Sequence, residues 1–244
     1  YYDKQDDIYR SVWDEEGSVH WGLFDDNTGD DFLKACNNLN NMMAEKGQIK
    51  STSNVLDLGC GNGTTAIWLN NDRGCHVTGV YLSGVRISNA QKARTLLSQS
   101  AQNKLAFEKA SAAELPFEDE SFDVVYNVES SHCYGDMAAF IEEAHRILRP
   151  GGMFCWTDLR DSETMALLPS MFESKGFEIV ESSNVVQEVI KALDEINDQK
   201  MKAIEDNVPK SVRRSFATFA GVRGTPVYEG FVSGSMAYHR HLMR

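Results

Sequence analysis

Apolar residues recur along this chain in two rhythms. Short continuous apolar runs alternate with longer stretches in which apolar residues return once per helical turn. Residues 32–46 carry Phe32, Leu33, Cys36, Leu39, Met42 and Met43 at helical spacing and predict a helix. A short buried strand follows at 54–58, then a glycine-rich turn at 59–63 and a helix at 64–71. The alternation continues with a strand at 75–81, a helix at 84–100 and a strand at 105–109. Residues 122–127 form the next apolar strand. A helix at 138–148 then meets Arg149-Pro150-Gly151-Gly152, a stop signal. A strand at 153–158, a helix at 162–175, a strand at 177–182 and a last strand candidate at 235–243 complete the series. Strands alternating with helices predict an α/β fold, a mostly parallel, doubly wound sheet covered on both faces.

Two stretches break the rhythm. Residues 1–31 are acidic and aromatic, without a clean period. Residues 184–234 place Val189, Ile190, Leu193, Ile196, Met201 and Ile204 roughly along one helical face. They read as a helical cap over the strand ends, not as a separate domain. The expected division of a single domain is therefore 1–50 (lid and helix), 51–183 (core), 184–234 (cap) and 235–244 (last strand).

Composition narrows the function. The 244 residues suit one domain with a full core. Apolar residues make up 42% and charged residues 25%, as in globular chains. A net charge of -12 repels phosphate backbones and anionic headgroups, which argues against nucleic-acid and membrane-surface binding. The five cysteines (36, 60, 75, 133 and 155) include no CxxC pair, so neither a disulfide framework nor a zinc site is expected. A reducing compartment follows. No apolar run is long enough to span a bilayer and no signal peptide opens the chain, so a cytoplasmic location is expected. The first residue is Tyr1, as in a trimmed chain. Association into a homo-oligomer is left open.

The strongest motif is Val55-Leu56-Asp57-Leu58-Gly59-Cys60-Gly61-Asn62-Gly63, between a strand and a helix. Gly59 and Gly61 let the backbone approach a ligand, and the helix start offers free N–H groups. The spacing Gly-x-Gly-x-Gly is not the dinucleotide-binding Gly-x-Gly-x-x-Gly. Asp57 would repel a pyrophosphate but suits an amino group. The bland alternative is a tight turn with a capping acid.

Here the chain resembles the class I S-adenosylmethionine-dependent methyltransferases. Val55–Gly63 is similar to their first cofactor motif. Leu115–Asp123 is similar to the loop and start of the fourth strand, and Leu148–Gly152 to the turn into the fifth. The opening Trp13 and Val19-His20-Trp21-Gly22-Leu23-Phe24 resemble rebeccamycin sugar O-methyltransferases, sarcosine/dimethylglycine methyltransferases and tocopherol methyltransferases. Asn127–Tyr134, Phe219–Gly224 and Ser235–Tyr238 resemble phthiotriol-type O-methyltransferases. The resemblance implies a Rossmann-like seven-stranded sheet whose final strand is antiparallel. It implies S-adenosylmethionine as cofactor, S-adenosylhomocysteine as product and a small-molecule acceptor, with a hydroxyl favoured over an amine. Asp57, Gly59, Cys60, Gly61, Tyr81, Leu82, Ser111, Ala112, Asn127 and Trp21 are the cofactor-binding residues it suggests.

Two positions depart from the family pattern. Tyr81 stands where an acid usually grips the ribose hydroxyls, and Ser111 where an acid usually meets the adenine. Tyrosine cannot accept two hydrogen bonds in bidentate fashion. Those losses keep a non-catalytic binding protein in view as a rival. For chemistry, His132 lies beyond the fourth strand and Asp158 ends the fifth, both at the edge where such sheets bind ligands. The family parallel points to His132 as base and Asp158 as its orienter; the alternatives are a structural histidine and a helix N-cap. His76 and His145 are expected to be partly exposed, and His239 and His241 to face solvent. Arg213, Arg214 and Arg223 could bind an acidic substrate group but suit surface ion pairs better. No cluster has metal-ligand spacing, and methyl transfer needs no metal.

Overall fold

The computed structural model describes residues 20–24, 28, 29 and 31–244. The part of the expected lid at 1–19, 25–27 and 30, including Trp13 and Val19, lies outside the described residues. Helix α1 spans Phe32–Lys46, and Asp31 begins it by accepting a hydrogen bond from the Lys34 N–H at 2.9 Å. Then follow β1 (Asn54–Leu58), α2 (Thr64–Arg73), β2 (His76–Tyr81), α3 (Gly84–Arg94), the single turn α4 (Gln99–Gln102) and β3 (Leu105–Lys109). Next come β4 (Phe122–Val128), a 3-10 turn (Ser131–Cys133), α5 (Met137–Ile147), β5 (Leu148–Asp161), α6 (Ser162–Ser174) and β6 (Ile179–Asn184). Helices α7 (Val186–Glu195), α8 (Asn197–Asn207), α9 (Arg213–Phe219) and α10 (Pro226–Ser233) precede β7 (Met236–Met243).

The seven strands form one sheet in the order β3-β2-β1-β4-β5-β7-β6. Strands β1 to β5 pair in parallel, whereas β7 runs antiparallel to both β5 and β6. Successive side chains point to opposite faces of a strand, and the apolar ones divide accordingly. Val55, Val77, Val124 and Cys155 pack with α1, α2 and α3 on one face. Leu56, Val80, Phe154 and Trp156 pack with α5 and α6 on the other. Each fully buried large apolar side chain contributes about 1.5–3 kcal/mol of transfer free energy. Among the described residues, no helix is long and apolar enough to cross a membrane.

Some expected boundaries shift, for local reasons. The helix expected over 84–100 is two. Ser98 begins α4 by accepting from the Ala101 N–H, and Leu96 between the helices is left in solvent. Strand β5 begins within the expected stop, because residues 148–152 already pair irregularly beside β4. The expected cap consists of four helices. Their apolar faces close on Trp21, Phe32 and Tyr238.

Candidate functional site

Strand β1 ends on Asp57 and Leu58, and the chain then turns sharply into α2. The N–H groups of Gly59 and Cys60 both donate to the Val80 carbonyl, at 2.8 and 3.0 Å, which fastens the turn to β2. Gly59, Gly61 and Gly63 have φ of +98°, +55° and +86°, the region glycine alone adopts freely. Their empty faces differ. A Cβ on Gly59 would run into the Ser130 hydroxyl, and one on Gly63 would meet Phe107 and Ala90 at 2.7–2.8 Å. On Gly61 it would find only Arg86 Nη1, at 3.5 Å. Gly61 is therefore the glycine whose open side a ligand can use, while Gly59 and Gly63 make room for neighbouring protein atoms.

Asp57 is 4% exposed, and its Oδ2 has no hydrogen-bond partner among the described residues. Burial pushes its carboxyl up to about 7, against the Ala66 N–H, which lowers it. A buried acceptor left without a donor is costly unless a ligand supplies one. The amino group of a methionine moiety would do so, and Gly61 would leave it room. The residues present thus fit the cofactor that the motif implies.

Tyr81 ends β2, with the Arg86 guanidinium 5.5 Å above its ring. Arg86 itself is 4% exposed and comes from the first turn of α3, which Ser83 caps. Leu82 lies exposed at the rim. Across the opening, Ser111 Oγ accepts from the Ala113 N–H at 3.2 Å, shaping the turn that presents Ala112.

The far side is built by the segment after β4. Asp158, at 0% exposure, comes from β5. Its Oδ1 lies 2.8 Å from His132 Nδ1 and accepts from the Leu159 N–H. Its Oδ2 accepts from Ser131 Oγ at 2.7 Å and from the His132 N–H at 2.9 Å, and Arg160 lies 3.2 Å away. Burial lowers the affinity of His132 for a proton, but the bonds to Asp158 and Cys133 outweigh it, so the imidazole pKa stands above its ordinary range. Burial would raise the Asp158 carboxyl, yet His132 and Arg160 hold it below the usual range. Asp158 is not a helix N-cap; Asp161 fills that place, accepting from the Thr164 N–H.

These elements enclose a cavity of about 1030 Å³. Its wall includes Asp57, Gly59, Cys60, Gly61, Tyr81, Leu82, Ser111, Ala112, His132 and Trp21. Asp158 stands behind His132, outside the wall. Asn127 is not on the wall, and its Oδ1 has no hydrogen-bond partner among the described residues. It is fully buried below the cavity, where its amide donates to the Leu58 carbonyl at 2.5 Å and joins β4 to β1. The expectation that His241 faces solvent fails, because Phe172 of α6 covers that face. His241 is wholly buried and stacks on Trp156 at 5.2 Å. Arg223 pairs with Asp194 at 2.5 Å, and Arg213 holds the Val208 carbonyl, so neither is on the wall. Arg86 and Glu129 are on the wall but were not assigned from sequence. For Arg86 the signal was its place one turn beyond the atypical Tyr81. For Glu129 it was the Glu-Ser-Ser-His segment itself.

Comparison with known proteins identifies relatives of this chain. Residues 56–156 match a family model described as a methyltransferase domain. The chain is 29% identical over 240 residues to a probable phthiotriol/phenolphthiotriol dimycocerosates methyltransferase 2 of Mycobacterium ulcerans, covering 90% of each. It is 31% identical over 190 residues to the phthiotriol/phenolphthiotriol dimycocerosates methyltransferase of Mycobacterium tuberculosis, covering 77% of this chain and 67% of that one. It is 32% identical over 167 residues to the (+)-O-methylkolavelool synthase of Herpetosiphon aurantiacus, covering 68% and 58%. Among solved structures, mycolic acid cyclopropane synthase CmaA1, complexed with SAH and CTAB, superposes with a TM-score of 0.81 at 17% identity. That match covers 100% of this chain and 95% of the other, and shows a shared fold.

Proposed function

The chain belongs to the class I S-adenosylmethionine-dependent methyltransferases, and from that premise we propose that it methylates a hydroxyl oxygen of an apolar small molecule. The observation that carries the proposal is His132, held from behind by Asp158, on the same cavity as Asp57 and Gly61. When bound, S-adenosylmethionine supplies a methyl group activated on a positively charged sulfur. Asp57 and the open face of Gly61 would hold its methionine part, and Tyr81, Leu82, Ser111 and Ala112 its adenosine part. Asp158 fixes the imidazole through Nδ1, with the Cys133 thiol beside the ring, and Nε2 would meet the acceptor. In its neutral form His132 takes the hydroxyl proton at Nε2 as the oxygen attacks, and Asp158 stabilises the imidazolium that results. The apolar wall residues Leu159, Phe219 and Val227 suit an apolar acceptor body. The name of the Herpetosiphon relative, an O-methyl product synthase, supports an oxygen acceptor.

The test is single-turnover methyl transfer by His132→Ala and His132→Asn. Loss of a general base slows transfer by about two to four orders of magnitude, with cofactor affinity kept within a few-fold. Near-normal rates in both variants across pH would remove His132 as base and bring an amine acceptor forward. Cofactor binding without transfer to any acceptor in a metabolite pool would favour a binding protein.

A further inference from the structure

Glu129 is among the polar groups on the cavity wall that this chemistry does not use. Glu129 follows β4 with φ of +42°, a conformation that a non-glycine residue adopts at a cost and that often marks function. Its carboxyl is held through one oxygen. Oε1 accepts from the Trp21 backbone N–H at 2.7 Å and from the Tyr238 hydroxyl at 2.6 Å. Among the described residues no hydrogen bond reaches Oε2, and Glu129 lines the cavity together with His132. The nearby wall carries the apolar Trp21, Leu159, Phe219 and Val227 beside the polar His20 and Ser130. A locked polar group in an apolar pocket is how such pockets fix a ligand's orientation.

The partner chemistry follows from the group and its neighbour. Burial pushes the Glu129 carboxyl up to about 8, so near neutral pH it exchanges between forms. A hydroxyl can hydrogen-bond either form, because it both donates and accepts. An ammonium requires the ionised form and would also face the imidazolium of His132. We propose that Glu129 selects acceptors carrying a second hydroxyl, which it binds while the first is presented to His132. The preferred substrate class is then an apolar molecule with a diol or polyol head. This inference rests on the O-methylation reading above.

The experiment compares 1,2-dodecanediol with 1-dodecanol as acceptors, reading kcat/KM for each from the methyl ether formed. A hydrogen bond to a carboxyl should favour the diol by about tenfold or more. Glu129→Gln, which can still pair with a hydroxyl, should keep that ratio. Glu129→Met should bring it to about one. Where Glu129→Met does not fold, Glu129→Asp, shorter by one methylene, should lower the ratio in the same direction. A parallel fall on both acceptors with the ratio kept would make Glu129 a structural latch only and overturn the inference. Equal use of the two alcohols by the wild-type protein would overturn it while leaving O-methylation standing. Methylation of neither would overturn both.

Discussion

At the scale of single residues, the His132–Asp158 pair makes the sharpest statement about pH. The imidazole pKa lies above its ordinary range because its proton is shared with a buried carboxylate, so neutral His132 accumulates only as pH rises. Turnover should therefore climb with pH above neutrality, and Asp158→Asn should move that rise toward about 6.5, the ordinary histidine value. A pH–rate profile of both proteins checks this. The same pair bears on stability with a definite sign. A raised histidine pKa gives a contribution complete below about 6.5 and lost as pH climbs through the folded value; the lowered Asp158 pKa gives one lost in acid. Both members of the pair were picked out through the family parallel; in the fold His132 sits in the 3-10 turn beyond β4 and Asp158 lies inside β5. Glu129 was not legible as an actor. Its importance lies in a positive φ and in two partners, Trp21 and Tyr238, that only the folded chain brings together.

Among the elements, the β1–α2 turn separates ligand space from packing space. Gly63→Ala should cost about 1–3 kcal/mol of stability, because it adds a methyl against Phe107 and Ala90 in a left-handed conformation. Gly61→Ala meets no such crowding, so it should weaken cofactor binding far more than it lowers the denaturant midpoint. Calorimetry beside chemical unfolding of the two variants separates these outcomes. Strand β7 supplies a different case. His241 is buried on Trp156, neither ring nitrogen has a hydrogen-bond partner among the described residues, and burial pushes its pKa down to about 4. Between about 6.5 and 4 the unfolded chain binds the proton more readily, so stability falls as pH falls through that window. His241→Phe should raise the thermal midpoint, and more at pH 5 than at pH 8. Alternation along β7 suggested an exposed face, because a two-residue period shows which side chains share a side but not what covers it. The strand and helix order was legible for the opposite reason: each element carries its own period. The break at Ser98 was not, since a cap is one residue in a sequence of good helix formers.

For the whole molecule, the cavity joins parts far apart in the chain, from Trp21 to Val227. A ligand that fills it stabilises every element it touches. S-adenosylhomocysteine at a hundred times its dissociation constant should add about 2.7 kcal/mol, a rise of roughly 5–10 °C in a chain of this size. A thermal-shift titration reads this directly; an unmoved midpoint would mean that the fold does not hold the cofactor. The cavity's construction is also modular. Strand ends and the turns that follow them form its floor, with the glycine turn and His132. Helices α9 and α10 contribute Phe219 and Val227 to its wall. Exchanging residues 185–234 would consequently resemble changing the jaws of a tool while keeping its drive: a new range of acceptors could be fitted while the glycine turn and His132 keep their places.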